Sequence, residues 1–257
     1  MNLNPDTARL ALVTGASKGI GVAIVHALLS AGWRVDVMAR DAAAMRTVYD
    51  ADLNGGNVRA LVADVTDAEA LQRLVNENYG QEGAPDLLFN NAGRFVSFAP
   101  IWESEVQTWW EDVRVNILGT FLVTRTIIPR MMARDSGIVI NMGGGRPSAG
   151  SGYAVSKAGV AEFTRTLALE LRKIGSRVSV FLADPGLVDT AMSRLHARNP
   201  IAETWASDLV DRMRRGDTRR PEEIASKLVS QLPHMSSTTS GGFFTPDTPT
   251  GSFAPIT

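Results

Sequence analysis

A glycine-rich stretch connects the first predicted strand of the chain to the first predicted helix: Thr14-Gly15-Ala16-Ser17-Lys18-Gly19-Ile20-Gly21. Gly15 allows a tight turn, Gly19 lets the backbone come close to a phosphate, and Gly21 lets the helix pack closely on the strand. The unpaired N–H groups and the dipole at the start of that helix attract a pyrophosphate. A turn of this kind can also bind nothing, but its place between a strand and a helix favours a phosphate-binding role.

The rest of the chain repeats this alternation of strand and helix. Short apolar runs predict strands at 10–13, 35–38, 58–62, 86–89, 138–140 and 178–181. Segments of helical period follow them at about 20–28, 42–49, 68–79, 106–132 and 153–172. Nearly continuous apolar strands separated by helices predict an α/β fold of Rossmann type, a doubly wound parallel sheet with helices on both faces.

The sequence predicts one domain over residues 1–257, because no Pro-, Gly- or Ser-rich linker divides it. Residues 190–220 break the strand–helix rhythm with mixed charges, and we expect them to form a lid over the site. The segment from Ser240 to Phe244 could hold one last strand.

The composition narrows the possible partners. Of 257 residues, 26 are Lys or Arg and 27 are Asp or Glu, so the formal net charge is -1. A charge this close to zero gives no electrostatic reason to expect nucleic acid or a membrane surface as partner. With no apolar run near the ~18 residues of a membrane span and no secretion signal, we expect a cytoplasmic protein. Cysteine is absent and the three histidines lack partners at ligand spacing, so we predict no metal site.

The glycine-rich stretch also fits a second motif. Gly15-Ala16-Ser17-Lys18-Gly19 satisfies the G-x-S-x-G pattern of serine hydrolases, and Asp189 and His196 are among the acid and base candidates downstream. The nucleophile turn of that class follows several strands rather than the first, and Gly21 fits the phosphate role better. A hydrolase that uses Ser17 is therefore only an alternative.

Tyr153 and Lys157 lie four positions apart near the start of a predicted helix, so both project from one face. An ammonium beside a phenol favours the phenolate, so we expect Lys157 to lower the pKa of Tyr153 and make the phenol a proton donor near neutral pH. Alone, this spacing is also typical of a solvated helix face. It gains meaning from the irregular loop Gly143–Ser148, which follows the carboxyl end of a strand, where this fold binds ligands.

Taken together, these features resemble the short-chain dehydrogenase/reductase family over nearly the whole chain. Six motifs carry the resemblance, in the family's order: Thr14–Gly21, Asp64-Val65, Asn90-Asn91-Ala92-Gly93, Asn116, Tyr153-x-x-x-Lys157, and Pro185-Gly186 with Thr190. Any one of them could arise by chance, whereas six in the right order are highly specific.

The resemblance implies a nicotinamide cofactor and assigns residues to it. The implied cofactor-binding residues are Gly15, Ser17, Lys18, Gly19, Ile20, Gly21, Asp64, Val65, Asn91, Ala92, Gly93, Lys157, Pro185, Gly186 and Thr190, and the charge at the end of the second strand adds Arg40, as argued below. The implied catalytic residues are Tyr153, Lys157 and Asn116. In the family's reaction the tyrosine protonates a carbonyl oxygen while the cofactor delivers a hydride to the carbonyl carbon. The lysine holds the ribose hydroxyls, and the asparagine connects the proton relay to solvent.

The chain departs from the family at one catalytic position. The family places a serine just after the fifth strand to hydrogen-bond the substrate oxygen, and here Gly143 and Gly144 stand in that place. Loss of one such donor costs about 10²–10³ in rate. Three explanations are open: Ser148 or Ser151 reaches in, backbone N–H groups of Gly143–Gly145 or a water supply the hydrogen bond, or the catalytic group is incomplete. We favour the backbone donors.

The second predicted strand ends in Ala39-Arg40-Asp41, which bears on the choice of nicotinamide cofactor. A carboxylate at the end of this strand would accept from the ribose 2′-OH of NAD. Here Arg40 and Lys18 converge instead, and two cations suit a 2′-phosphate, so we predict NADP(H). A register error of one position would make Asp41 the carboxylate of an NAD site.

We therefore expect an NADP(H)-dependent ketoreductase that reduces a ketone to a secondary alcohol on a small or medium organic molecule. The family resemblance also implies a homotetramer or homodimer assembled through the helices that contain Asn116 and Tyr153. The alternative is a cofactor-binding protein with weak or no catalysis, for which the glycines at 143 and 144 are the best support.

Overall fold

The computed structural model describes residues 9–80, 83–145 and 147–256. In these ranges one sheet contains eight strands, which are β1 (Leu10–Thr14), β2 (Arg34–Ala39), β3 (Val58–Val62), β4 (Leu87–Asn90), β5 (Ile138–Met142), β6 (Ser179–Ala183), β7 (Gly242–Phe244) and β8 (Ala254–Pro255). Their order is β3-β2-β1-β4-β5-β6-β7-β8. Neighbouring strands are parallel except β7 and β8, which pair antiparallel. The predicted fold class is confirmed, and the strand order reverses between β1 and β4.

The helices in the described ranges are α1 (Gly19–Ser30), α2 (Ala42–Asn54), α3 (Ala68–Tyr79), α4 (Val106–Val113), α5 (Gly119–Ala133), α6 (Ser151–Lys173), α7 (Ala191–Ala197), α8 (Ala202–Trp205), α9 (Ser207–Arg215) and α10 (Pro221–Val229). The long helix predicted at 106–132 is α4 and α5, joined by a π-helical turn at Arg114–Leu118. None of the described helices has the length and apolar character of a membrane span.

Two hydrophobic cores lie on the two faces of the sheet. Side chains alternate along each strand, so that Val13 and Phe89 belong to one core and Leu12 and Leu88 to the other. The first core is closed by α1 and α10, and the second by α3, α5 and α6. Because both faces are buried, the strands have nearly continuous apolar sequences, which is why the sequence predicted them.

Acidic side chains at the helix starts determine where two of the helices on the first half of the sheet begin. Asp41 accepts a hydrogen bond from the N–H of Ala44 at 2.9 Å, and Asp67 accepts one from the N–H of Ala70 at 2.9 Å. Each carboxylate satisfies a backbone donor that has no partner inside its helix. The side chain of Asp41 is therefore occupied in capping α2.

The segment expected as a lid forms α7, α8 and α9 and has a small core of its own. Phe95 and Phe98, from the segment after β4, are buried there with Ala202 and Val210 of the lid, and Tyr153 packs against them. The sequence did not predict α10, which starts at Pro221 and packs against α1. A proline at the first helical position followed by two glutamates is typical of a helix start. An analysis based on hydrophobic periodicity alone does not use this signal.

Candidate active site

The glycine turn between β1 and α1 has the geometry that its sequence predicts. Gly15 and Gly19 have φ of +65° and +58°, in the left-handed region that favours glycine. A side chain at Gly15 would place its Cβ 2.6 Å from the Cα of Ala92, and one at Gly21 would overlap the carbonyl oxygen of Gly15. Lys18, at the cap position of α1, gives no side-chain hydrogen bond to the helix. The first N–H groups of α1 thus lack a side-chain cap, as a phosphate site requires.

Two segments meet at this turn from elsewhere in the chain. The side chain of Asn91 donates to the carbonyl oxygens of Thr14 and Gly15 at 3.0 and 3.2 Å, which ties the end of β4 to the turn. Thr190 caps α7 by accepting from the N–H of Ser193 at 3.3 Å. Its methyl carbon would lie 3.8 Å from a Cβ on Gly19, so α7 begins beside the glycine turn. These contacts form at the switch point of the sheet, where doubly wound folds bind ligands.

Asp64 and Arg40 lie together beyond the ends of β3 and β2. The Nη1 atom of Arg40 is 3.4 Å from a carboxylate oxygen of Asp64, while the N–H and hydroxyl of Thr66 donate to the other oxygen at 2.8 and 2.7 Å. Burial acts to raise the pKa of Asp64, but the hydrogen bonds from Thr66 and the charge of Arg40 outweigh it and lower the pKa. The side chain of Arg40 is 72% exposed, so its remaining N–H groups face solvent. Val65 next to Asp64 is buried and would be struck by any side chain at Gly119.

The residues predicted as catalytic meet at the carboxyl ends of β4 and β5. The ammonium of Lys157 is buried and donates to the carbonyl oxygen of Met142 at 2.8 Å. The amide of Asn116 accepts from the N–H of Arg94 at 2.7 Å and donates to the carbonyl oxygen of Arg94 at 2.8 Å. Gly93 lies between the two side chains, because a Cβ there would be 3.5 Å from Asn116 Oδ1 and 3.7 Å from Lys157 Nζ.

The Tyr153 phenol does not have the lowered pKa that the sequence led us to expect. Burial raises its pKa, and the negative charge of Asp184 raises it further. Burial also lowers the pKa of Lys157 to about 8, against the opposing effect of Asp184. The lysine Nζ is 5.6 Å from the centroid of the tyrosine ring and makes its hydrogen bond to Met142. The expectation is wrong for this arrangement because burial outweighs the attraction of a partner that does not touch the hydroxyl.

Gly144 stands where the family's serine is expected. A Cβ at this position would lie 2.5 Å from the Tyr153 hydroxyl oxygen, so residue 144 does face the phenol. The two nearby serines are engaged elsewhere: Ser148 donates to the carbonyl oxygen of Trp205, and Ser151 accepts from the indole N–H of Trp109 at 3.0 Å. Neither hydroxyl takes the place of the missing one.

Sequence reasoning considered Asp184 only as an acid candidate of the hydrolase alternative and did not consider Asp112. Asp184 follows the last residue of β6 and directly precedes Pro185-Gly186, and its carboxylate accepts from the N–H of Gly186 at 2.8 Å. Asp112 is fully buried in α4. Its position four residues before Asn116, on the same helix face, is the signal that could have drawn attention to it.

The alternatives gain nothing from this geometry. In the described ranges the hydroxyl of Ser17 makes no hydrogen bond to a histidine, as a hydrolase nucleophile would need. No group of three or more His, Asp or Glu residues in the same ranges could hold a metal ion.

Comparison with known proteins identifies the family. A family model described as short chain dehydrogenase matches residues 9–200. The chain is 33% identical over 226 residues to galactitol 2-dehydrogenase (L-tagatose-forming) of Cereibacter sphaeroides, an alignment that covers 85% of each protein. It is 32% identical over 229 residues to a 3-oxoacyl-[acyl-carrier-protein] reductase of Synechocystis, covering 86% of this chain and 88% of that protein. The chain belongs to the short chain dehydrogenase family.

A solved structure extends the similarity to the three-dimensional fold. A variant of actinorhodin polyketide ketoreductase, crystallised with NADPH, superposes with a TM-score of 0.82 at 28% identity. The match covers 95% of this chain and 97% of the ketoreductase. The protein is therefore an oxidoreductase of this family, with ketoreductases among the proteins that it resembles.

Proposed function

We propose that the protein is an NADP(H)-dependent ketoreductase that reduces a ketone to a secondary alcohol on a small or medium organic molecule. One observation carries the proposal. The side chains of Tyr153 and Lys157 lie close together at the carboxyl edge of the sheet, with the lysine Nζ 5.6 Å from the centroid of the tyrosine ring, and the uncapped glycine turn lies at the same edge. Resemblance to ketoreductases and to a 3-oxoacyl-[acyl-carrier-protein] reductase favours reduction of a carbonyl.

The glycine turn, Asp64-Val65, Asn91–Gly93 and Pro185-Gly186 with Thr190 would hold the cofactor, whose nicotinamide supplies a hydride. Tyr153 donates the proton that the carbonyl oxygen acquires, which is general acid catalysis. Lys157 in its ammonium form would hold the ribose hydroxyls and favour the phenolate left behind. Asn116 fixes the backbone of Arg94 beside these groups and would connect the phenol to solvent through water.

Three features support NADP(H) over NAD(H). Arg40 has further N–H groups that do not contact Asp64, and Lys18 is exposed in the glycine turn. The competing carboxylate of Asp41 caps α2. The other acid of β2, Asp36, is buried and accepts from Arg59 at 2.7 and 2.9 Å. Asp36 is thus unavailable to the ribose 2′-OH and one oxygen of Asp41 is engaged by α2, while Arg40 and Lys18 could both bind a 2′-phosphate.

Backbone donors are our proposal for the missing serine. The Tyr153 hydroxyl fills the space that a side chain at position 144 would need, whereas the space beside Gly145 is open, with nothing within 4 Å of a Cβ there. A substrate oxygen could therefore approach the backbone of this loop closely enough to accept from an N–H group.

We further propose that the chain is one domain, that α7–α9 act as a substrate lid, and that the protein is a cytoplasmic homodimer or homotetramer.

The test is an assay of the purified protein with a panel of ketones, followed by the loss of reduced-nicotinamide absorbance. Wild-type protein should oxidise NADPH with at least one ketone of the panel. Tyr153→Phe keeps the ring and its packing and removes only the proton donor, so it should lower kcat by about 10²–10⁴-fold. If the wild type binds NADPH tightly but consumes none with any ketone, a cofactor-binding protein without catalysis becomes the better assignment.

A further inference from the structure

A fully buried carboxylate in α4 organises the segment that follows β4. Asp112 has no exposed surface, and it accepts hydrogen bonds from the N–H groups of Val96 and Ser97 at 3.0 and 2.8 Å. The hydroxyl of Ser97 donates to it at 2.6 Å, and the guanidinium of Arg94 forms an ion pair with it. We call residues 94–97 the Arg94 loop. Every one of these four donors comes from that loop.

A buried carboxylate is costly unless donors satisfy its oxygens, so its position reveals which segment it holds in place. The fold contains a second such group, Asp36 of β2, which is 2% exposed. Asp36 accepts from Arg59 and from the hydroxyl of Tyr79 at 2.6 Å, and thus joins β2 to β3 and α3. Asp36 holds elements of the sheet together, whereas Asp112 holds a loop at the candidate active site.

The Arg94 loop contacts two of the residues proposed for catalysis. Asn116 binds both the N–H and the carbonyl oxygen of Arg94. The ring of Phe95 stacks on the ring of Tyr153, with centroids 4.5 Å apart and planes inclined by 19°. The Tyr153 ring is therefore held by Phe95 while its hydroxyl lies against Gly144. The conformation of the loop determines where the phenol points.

We propose that Asp112 is a positioning residue for proton transfer: it fixes the Arg94 loop so that Phe95 holds the Tyr153 ring. Asp112 touches none of the reacting groups and acts through Phe95. This inference rests on the proposed function for its kinetic consequence, since a displacement of about 1 Å at a reacting group can cost 10²-fold in rate. Its structural consequence, the orientation of the Tyr153 ring, can be measured without any substrate.

The experiment compares Asp112→Asn with the matched control Asp36→Asn in the full-length protein. The chain contains only three tyrosines, so ¹³C-labelled tyrosine gives three ring signals, of which Tyr153→Phe removes one and identifies it. Stacking on Phe95 shifts the Tyr153 signal through the ring current. Asp112→Asn should move that signal towards the value of a free tyrosine. Asp36→Asn should move the signal of Tyr79, its hydrogen-bond partner, and leave that of Tyr153 in place.

Kinetics supply the second measurement. Asp112→Asn should lower kcat at least about tenfold with little change in the KM for NADPH, because the glycine turn is untouched. Asp36→Asn should lower the thermal stability with little change in kcat. An unchanged Tyr153 signal in folded Asp112→Asn, or an unchanged kcat, would each overturn the proposal.

A second variant keeps the test open if Asp112→Asn does not fold. Arg94→Met removes the charged partner of Asp112, and the Arg94 side chain is partly exposed, so the substitution places no new group in the core. The shift of the Tyr153 signal and the loss of kcat should both follow. Failure of the proposed function looks different. Wild-type protein would then turn over no ketone, yet the tyrosine signals would still show whether Asp112 orients the ring.

Discussion

At the scale of single residues, the contact between Gly144 and Tyr153 is the feature that most distinguishes this site. A serine here would need space that the phenol hydroxyl already fills, because its Cβ would come within 2.5 Å of that oxygen. The tyrosine cannot easily withdraw, since Phe95 stacks on its ring. The glycine is thus part of a consistent local arrangement rather than a simple loss of one donor.

The substitution Gly144→Ser tests this arrangement directly. We expect the new side chain to displace the Tyr153 hydroxyl and to lower kcat by roughly 10–100-fold, measured as NADPH oxidation with the best ketone. Gly144→Ala is the matched comparison, because it adds the same Cβ 2.5 Å from the Tyr153 hydroxyl without adding a donor, so a similar loss of kcat should follow. A many-fold rise in turnover for Gly144→Ser would show that backbone donors do not replace the serine.

A second residue-scale prediction concerns Arg40 and the cofactor. Hydrogen bonds to a charged group are worth about 1.5–3 kcal/mol, so Arg40→Ala should weaken NADPH binding by roughly 10–100-fold. Binding of NADH, which has no 2′-phosphate, should change little. Fluorescence titration of both reduced cofactors measures the two affinities. The proposal fails if Arg40→Ala leaves the preference between NADPH and NADH where it is in the wild type.

Asp41→Asn is the companion variant. Asparagine caps a helix about as well as aspartate does, so the start of α2 and both affinities should be preserved. A selective loss of NADH binding in this variant would instead place Asp41 at the ribose 2′-OH.

At the scale of elements, α7 is joined to the site through His196. This buried side chain stacks on Phe95 with ring centroids 3.8 Å apart, and its Nε2 lies 3.0 Å from the carbonyl oxygen of Phe95. Because a carbonyl can only accept, Nε2 must carry the hydrogen. Phe95 is thus covered by His196 on one side and by Tyr153 on the other. The packing of α7 and the position of the Tyr153 ring are therefore connected through Phe95.

This contact predicts that the packing of α7 becomes less stable in acid. Burial lowers the pKa of His196 below its ordinary value of 6.5, although the Phe95 carbonyl and Asp112 act in the opposite direction. A group whose folded pKa is lowered in this way contributes stability above its unfolded pKa and loses it as the pH falls further. Amide hydrogen exchange in α7 should therefore accelerate as the pH drops below about 6.5, after correction for the intrinsic exchange rate.

Two histidine variants separate this effect from general acid destabilisation. His196→Gln keeps an amide donor for the Phe95 carbonyl and does not titrate, so the acid-dependent loosening of α7 should disappear. His26→Gln changes an exposed residue of α1, and the pH dependence should remain that of the wild type. Identical pH profiles in all three proteins would contradict a role for His196.

At the scale of the whole molecule, α4, α5 and α6 present apolar side chains to solvent. The large exposed ones on these helices are Val106, Trp110, Phe121, Met132, Val155 and Leu169, and Leu118 of the π-helical turn is exposed beside them. Phe121 and Phe163 make an edge-to-face contact between α5 and α6, so the two helices form one continuous surface. Contiguous exposed apolar surface is typical of interaction sites, so this surface is where we expect the contact of the proposed oligomer.

Disruption of this surface should lower the oligomeric state. Phe121→Glu would bury a charge in the proposed interface, so we expect it to shift a dimer or tetramer to smaller species in light scattering after size exclusion. Val62→Glu is the control, since Val62 is equally apolar and 53% exposed but lies on β3 at the other end of the sheet. A wild-type protein that is monomeric at micromolar concentration would remove the basis for the prediction.

The sequence by itself determined the sheet and predicted which residues lie along its carboxyl edge. Strands buried on both faces have an apolar pattern that is visible without a structure, and the turn from Thr14 to Gly21 contains glycines where no side chain fits. The spacing of Tyr153 and Lys157 follows from helix geometry alone. Each of these features depends on residues that are close in the sequence, so it can be predicted from one sequence without a structure.

Only the tertiary structure decided how the side chains of the site act on one another. Burial depends on every element packed around a group, so it took the fold to show that Lys157 becomes less basic and that Tyr153 is not acidified. Asp112 and Arg94 are 18 positions apart, and Phe95 and His196 are 101 apart, and neither pairing follows a local period. Chain folding alone brings such groups together, and for Asp112 the energetic cost of burying a charge makes a charged partner necessary.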